Sequence, residues 1–507
     1  MPGAGSEGSV AAPASQQPSH ILRIAKQALV YGTSGVLLQV VGVVTLPVFA
    51  RAFTHSEYGL LELAFVLFSL SMAVADAGFA SAAQRSYFDY PESDPEDRRR
   101  VIFTAFTSTM AAAGAIALIL VVGRDALAEA VFDSAGQTEL VVLVAVSVPL
   151  VIAANFLRET MRLRFRAWHY VVSSVLAAAV SAVVAVVAVL ALDAGVEAIF
   201  FGMIVGNGVA VAYGLLVVHS DIGRRFSRPE LRKMLVYGMP LVPAAIAVWA
   251  LALLDRLLLG WLSTLSEVGQ YAVANRISGV LFLLVTGFVL AFGPYVFSIY
   301  AEDPELEKVV RGKTLTYVTL GLSLGALCLT LFAREILLVA APSFDDAYKA
   351  VGPLSFGVLA VGISSVIMAG VSIARRTIYL ALLAGIGVVV NVAFNLVLIP
   401  PFGMLGAAFA TAAAYGVLTF LHYKVAQRLY PTPYEPRNVV IIVALASAFG
   451  TLGVVGLGPL VVALAIKTLA VGAFLVALRL TGVVVDDEID RIRDLVGGRL
   501  RLSRAGA

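Results

Sequence analysis

Charge is scarce in this chain. Lys, Arg, Asp and Glu supply 14% of its 507 residues while 60% are hydrophobic, a balance that excludes a soluble globular protein, in which about half the residues are apolar and a quarter charged. The mean hydropathy of +0.92 makes lipid the solvent for much of the surface. Cysteine is nearly absent: Cys328 stands alone in an apolar run, which excludes an internal disulfide and leaves a small buried side chain. Histidine is also sparse. His20, His55, His169, His219 and His422 fall in tails, loops or helix ends without metal-ligand spacing, so neither a metal site nor a catalytic constellation is expected. No Walker or dinucleotide fingerprint occurs, and no cofactor is expected. The basic residues form neither one face nor a known motif, which excludes a nucleic-acid partner.

What the chain has in abundance is long apolar runs. About fourteen are long enough to cross a bilayer as helices, which takes roughly 20 residues each. They lie at 29–50, 59–80, 101–122, 140–157, 170–192 and 198–218, then at 234–260, 271–297, 314–332, 351–374, 378–399, 404–426, 439–455 and 460–480. The runs are continuous and lack the dyad alternation of a barrel, so the fold class is an all-α polytopic membrane protein. Residues 1–20, rich in Gly, Ala, Ser, Pro and Gln, read as a disordered tail. They do not read as a signal peptide.

Basic residues are sorted by side. If the helices alternate, Arg98-Arg99-Arg100, Arg158 to Arg166, Arg224 to Lys233, Arg375-Arg376 and Arg428 share one face with both termini. About 29 of the 36 Lys and Arg residues are there, the positive-inside pattern. The expectation is a cytoplasmic-membrane protein with both ends inside. Loops on the opposite face are short, so no outer domain is available for glycan-transferring chemistry. After Thr481, Ile489, Ile492, Leu495 and Val496 recur at helical spacing, as a surface helix or a solvated tail would have them.

An internal repeat organises the runs. Tyr31-Gly32 and Ser56-Glu57-Tyr58-Gly59 are echoed roughly 205 to 210 positions on by Tyr237-Gly238 and Ser266-Glu267-Val268-Gly269, with six spans between copies. Because six is even, the copies run in the same direction and the pseudo-twofold axis lies along the membrane normal. A second anchor sets Gly195-Val196-Glu197 against Gly403-Met404-Leu405 at an offset of some 208. The expected organisation is a tail at 1–20, an N-lobe of six helices at 21–219, a basic cytoplasmic linker at 220–233 and a C-lobe of six at 234–430. A helix pair at 431–481 and a cytoplasmic tail at 482–507 complete it.

The stretch LPVFARAFTHSEYGLLELAFVLFSLSMAVADAGFASAAQR, from Leu46, resembles the first helices of the polysaccharide flippases. These form the Wzx-like branch of the multidrug/oligosaccharidyl-lipid/polysaccharide exporter superfamily. NVAFNLVLIPPFGMLGAAFATAAAY, from Asn391, resembles their eleventh and twelfth helices. The resemblance implies two six-helix lobes about a central cavity, an extra C-terminal pair, and export of an undecaprenyl-pyrophosphate-linked oligosaccharide by alternating access. It implies lipid-linked oligosaccharide and membrane lipid as partners, with a polysaccharide polymerase and export machinery beside them. Two other cargoes stay open: a small drug or metabolite, as in a cation-coupled MATE-like efflux carrier, and the peptidoglycan precursor.

An ionisable side chain deep in a span costs roughly 2.5–3.5 kcal/mol and so needs a cavity or a partner. Arg276 lies roughly 12 Å along its span if that span starts near Val268, and its planar fork suits a pyrophosphate. It is the first choice for substrate binding, against a structural ion pair. Arg51 and Arg256 sit near outer helix ends, where they either contact substrate or snorkel. Gln39 and Asn275 either bind sugar hydroxyls or hydrogen-bond between helices. Glu62 is expected to pair with Arg51, and Asp76 with Arg85, in gating or lobe-fixing roles. Asp255 and Arg256 point about 100° apart on a helix, so each is expected to find its own partner. Gly32-Thr33-Ser34-Gly35 and Gly202, Gly206 and Gly208 are expected to permit close helix packing rather than phosphate binding, and Pro240, Pro243 and Pro294 to bend helices.

Overall fold

The computed structural model describes residues 41–483 apart from 43, 77, 92, 377, 456 and 457. Both tails, the patch Gly32-Thr33-Ser34-Gly35, the tail stripe from Ile489 and the position of Gln39 lie outside the described residues. Among those described, residues 44–52 are helical and fifteen further α-helices follow, with no strand. They are α1 (His55–Asp76), α2 (Phe79–Phe88), α3 (Pro95–Val122), α4 (Arg124–Phe132), α5 (Thr138–Leu163), α6 (Ala167–Leu192), α7 (Glu197–Val218) and α8 (Arg228–Gly238). After these come α9 (Val242–Leu262), α10 (Leu265–Glu302), α11 (Pro304–Ala340), α12 (Tyr348–Ile373), α13 (Ile378–Leu429), α14 (Pro436–Gly450) and α15 (Leu460–Leu480).

Twelve helical segments are long and apolar enough to cross a membrane. One of them, α13, is two spans: Pro400 and Pro401 precede Gly403, whose φ of 53° and ψ of −130° leave the helical region. With the run at 29–50, most of which is outside the described residues, this agrees with about fourteen. Pro240 falls in the single 3-10 turn Met239–Leu241 that separates α8 from α9, because proline lacks the N–H that a continuous helix would need. The helices α10 and α11 run 38 and 37 residues, about 55 Å each, and so extend well past a hydrocarbon core about 30 Å thick.

Contacts group the chain into two compact units. The first takes residues up to Val48 with Ala75–Gly123 and Glu139–Pro240; the second takes Phe49–Val74, Arg124–Thr138 and everything from Leu241. In the first unit Phe79, Tyr87, Val101, Ile102, Phe156 and Met234 form one apolar cluster. There α6 and α7 meet through two of the expected glycines: a Cβ on Gly206 would come 2.5 Å from the Ala177 carbonyl oxygen and one on Gly202 would come 2.5 Å from that of Ser181, whereas one on Gly208 would meet nothing within 4 Å, because that position faces away from the contact.

The second unit carries the larger core, with Leu281, Val285, Leu322, Leu359 and Val366 joining α10, α11 and α12. Two ionic knots fasten its other helices. Lys467 of α15, 2% exposed, places Nζ 2.7 and 2.8 Å from the two oxygens of Glu335 on α11. Arg311 of α11, fully buried, contacts Glu307 at 2.7 Å and donates to Tyr434 at 2.7 Å and to Thr432. Burial pushes the Tyr434 phenol up to about 12, so it stays a neutral partner for the guanidinium. A Cβ on Gly370 would fall 2.4 Å from the Arg311 guanidinium, so α12 is glycine where the arginine lies.

The repeat has a direct structural signature inside this unit. Glu57 accepts from Thr54 N at 2.7 Å while Glu57 N donates to Thr54 Oγ1 at 3.3 Å, a capping box at the start of α1. Thr264 also caps α10, accepting from Glu267 N at 3.3 Å, but the Glu267 carboxylate accepts from Ser263 and from the Met404 N–H instead of closing the box. The two helix starts touch reciprocally. A Cβ on Gly59 would lie 1.9 Å from the Leu265 carbonyl oxygen, and one on Gly269 would lie 2.0 Å from that of His55. Positions 59 and 269 correspond in the repeat, as do 55 and 265, so each copy makes the other's contact. The expected result of Gly59→Ala is a loss of about 3 kcal/mol, the upper end for overpacking, because the obstacle is backbone. Thermal unfolding in detergent measures it, and an unchanged midpoint would mean that the two helix starts do not touch.

Candidate functional site

Four helices of the second unit bring charge together in a largely buried place. Asp255 and Arg256, adjacent on α9, each have side chains 5% exposed. Arg256 Nε lies 2.6 Å from Glu62 Oε1 on α1. Its N–H is not aligned for a hydrogen bond, so this is a charge contact; the guanidinium's aligned bond runs to the Ala252 carbonyl at 2.8 Å. Asp255 is held differently. It accepts from the Tyr271 hydroxyl of α10 and, at 3.2 Å, from Thr411 of α13. Its contact with the Arg256 side chain is long, 3.6 Å. The expectation that the two neighbours would take separate partners is met, with Glu62 serving Arg256 and two hydroxyls serving Asp255.

Arg276 lies on α10 eleven positions beyond Leu265, about 16 Å along the helix. Its guanidinium carbon sits 5.1 Å from the ring centroid of Tyr58, a fully buried side chain of α1. Arg276 therefore points toward the protein interior rather than outward. Among the described residues it has no carboxylate within ion-pair distance, and the Tyr58 hydroxyl is buried without a hydrogen-bond partner. The ring face offers a cation–π attraction of about 0.5–2 kcal/mol, which orients the guanidinium without neutralising it. Asn275, half-buried beside it, makes no side-chain hydrogen bond among the described residues.

Other sequence candidates fall elsewhere. Arg51 does not pair with Glu62; it donates to the Val339 carbonyl at 2.8 Å, beside Ser343, which donates to the Ala50 carbonyl at 2.8 Å. The reason is reach: Arg256 comes to Glu62 from a packed neighbouring helix, whereas Arg51 lies on the exposed side of its turn. The expected Asp76–Arg85 pair is also replaced. Asp76 lies beside the backbone of Gly78 and Ala80, and Arg85 lies 4.9 Å over the Tyr237 ring. Among the described residues no group of His, Cys, Asp or Glu could hold a metal ion.

Tyr58, Tyr271 and Thr411 carry no sequence signal of their own, since a hydroxyl on an apolar helix costs little to bury. One hint exists for Tyr58: it is the polar aromatic where the repeat has Val268. Lys467 had the clearer signal, a single lysine in the middle of the last apolar run.

The sequence model of the family described as polysaccharide biosynthesis protein matches residues 48–311, more than half of the chain. The chain belongs to the polysaccharide biosynthesis protein family. That match covers α1, Glu62, Asp255, Arg256 and Arg276. Among curated proteins this family member is 26% identical over 234 residues to the probable low-salt glycan biosynthesis flippase Agl15 of Haloferax volcanii, covering 46% of the chain and 49% of that protein. It is 22% identical over 251 residues to the uncharacterized membrane protein MJ1068 of Methanocaldococcus jannaschii, covering 46% and 48%. The chain thus spans about half the length of the curated relatives it matches. Its fold is that of the lipid II flippase MurJ in an inward closed conformation, with a TM-score of 0.69 at 12% identity over 88% of this chain and 98% of that one. An inward-facing MATE family multidrug resistance transporter of the MOP superfamily follows at 0.67 and 14%, over 79% and 97%. Those of these proteins with a stated activity are flippases or transporters.

Proposed function

We propose that this chain is a flippase that carries a lipid-linked oligosaccharide, of the undecaprenyl-pyrophosphate class, across the cytoplasmic membrane for cell-surface polysaccharide synthesis. The carrying observation is Arg276: a cation deep in a membrane helix, oriented by Tyr58 and given no carboxylate among the described residues. An unneutralised guanidinium at that depth calls for an anion. A pyrophosphate bearing sugars cannot enter hydrocarbon by itself, so a protein must shield the headgroup while the polyprenyl tail stays in lipid. Two six-helix lobes at 21–219 and 234–430, both termini cytoplasmic, would open to one face at a time. Membership of the family and similarity to Agl15 support this reading, and a polymerase or export complex would take the product.

One observation favours a second reading. The buried carboxylate Asp255 suits a cation-coupled carrier, and the fold matches MATE transporters as well as a flippase for a peptidoglycan precursor. Purified protein in vesicles separates the cargoes. The expected result is that a labelled polyprenyl-pyrophosphate glycan changes sides while small organic cations stay put. Movement of the cation alone would overturn the flippase reading.

A further inference from the structure

The first unit has a cation cluster of its own, made of residues other than those described above. Between α2 and α8 lies an open cavity of about 860 Å³ whose walls include Arg85, Asp89, Arg228, Arg232, Lys233 and Tyr237. The two helices are pinned at one point. A Cβ on Gly78 would come 2.8 Å from the Gly238 carbonyl oxygen, and φ at Gly78 is +71°, a conformation glycine adopts freely. Gly78 precedes α2 and Gly238 ends α8, so the helices run antiparallel from that contact. Lining positions recur every three or four residues on both, which places one face of each toward the hollow.

Ordinary positive-inside residues are dispersed and solvated. Here four cations from two helices line one hollow, with Asp89 the single carboxylate among its lining residues. Lys233 is neutralised, with Nζ 2.7 Å from Glu230, which also accepts from Tyr90 at 2.8 Å. The arginines have no ion pair among the described residues. Arg85 rests on Tyr237, while Arg228 and Arg232, four apart on α8, form no ion pair or side-chain hydrogen bond among the described residues. Like charges at that spacing repel, and the glycine contact holds α2, with Arg85, against the same helix. A multiply charged anion relieves this repulsion, and guanidinium forks match phosphate oxygens in pairs. The rest of the wall is Ala82, Pro229 and Val236 with one hydroxyl, Ser86, and Val236 is 71% exposed, so a hydrocarbon chain can leave the hollow along α8. A free anion would gain nothing from that apolar wall; a lipid would.

We propose that this cavity binds the phosphate groups of a lipid headgroup, with three arginines suited to a diphosphate. Basic pockets at helix ends take anionic lipid headgroups by the same electrostatics. That the site captures cargo before transport rests on the flippase reading; that it binds lipid phosphate does not.

The test titrates the full chain in detergent with farnesyl diphosphate, inorganic diphosphate or phosphatidylglycerol, in an Arg276→Ala background so that the second unit's arginine does not contribute. Farnesyl diphosphate is expected to bind, and the added pair Arg228→Ala/Arg232→Ala is expected to weaken it at least tenfold. Arg228→Lys/Arg232→Lys is expected to fall between, because charge is kept and the fork lost. Both positions are exposed, so folding should survive. Equal binding by the alanine pair would overturn the site. Inorganic diphosphate binding as tightly as the farnesyl compound would overturn a lipid ligand. Displacement of bound farnesyl diphosphate by phosphatidylglycerol would support the site and identify a bulk phospholipid as its occupant; resistance would support it and identify a diphosphate carrier lipid. Should farnesyl diphosphate bind through Arg228 and Arg232 while vesicles move no glycan, the flippase reading fails and this site stands.

Discussion

Glu62→Gln is expected to destabilise the protein by about 3–5 kcal/mol, the cost of leaving a buried charge without its partner. Arg256 keeps its charge at any pH the protein survives, and its side chain is 5% exposed. What remains beside it is Asp255, whose Oδ1 lies 3.6 Å from the guanidinium and accepts from the Arg256 backbone N–H while Oδ2 takes Tyr271 and Thr411, so part of the charge stays compensated. The value should therefore sit at the lower end, about 3 kcal/mol. Removing the cation as well should restore much of the loss: Glu62→Gln/Arg256→Met replaces an ion pair by an apolar side chain of similar reach, a change often neutral or stabilising. Thermal unfolding in detergent and the yield of inserted protein measure both. An unchanged midpoint for Glu62→Gln would show that water reaches this pair.

Arg276→Ala should behave in the opposite way, leaving the fold and removing the activity. No carboxylate within ion-pair distance is orphaned by the change, and the lost contact with Tyr58 is worth about 0.5–2 kcal/mol. A charge-assisted hydrogen bond to substrate contributes about 1.5–3 kcal/mol, so translocation of the labelled glycan should fall roughly 10- to 100-fold. Arg276→Lys should keep part of it, since the ammonium is a point charge without the fork. Protein that inserts normally, unfolds near the native midpoint and still moves the glycan at the native rate would remove Arg276 from the site. The contrast between the two substitutions is the informative part. One buried arginine is matched by a carboxylate and supports structure; the other is matched by an aromatic face and remains available to an anion.

The sequence marks the charged residues inside the spans and misplaces several of their partners. Arg276, Arg256, Asp255 and Glu62 stand out because charge in an apolar run is costly whatever the fold. Glu62 was assigned to Arg51, its neighbour along the chain, and takes Arg256, which is 194 positions away and adjacent only after packing. Asp76 likewise lies beside the backbone at 78 and 80 and makes no ion pair with Arg85. Arg85 in turn closes on Tyr237, which a helix-by-helix reading places in another lobe.

By itself the sequence determined the all-α membrane class, the approximate number and position of the spans and the duplication. These follow from apolar run length, from the absence of alternation and from a motif recurring at one offset, all of them local along the chain. The break at Gly403 was legible for the same reason, since two prolines and a glycine interrupt a long run. Tertiary structure alone decided that residues 49–74 group with the second half of the chain. It also set Tyr58 under Arg276, made Gly59 and Gly269 touch each other's strandless helix starts, and gathered Arg85, Arg228 and Arg232 around one hollow. Each of these depends on which helix faces lie together, and an apolar helix, polar to neither side, carries no periodic pattern from which its facing could be read.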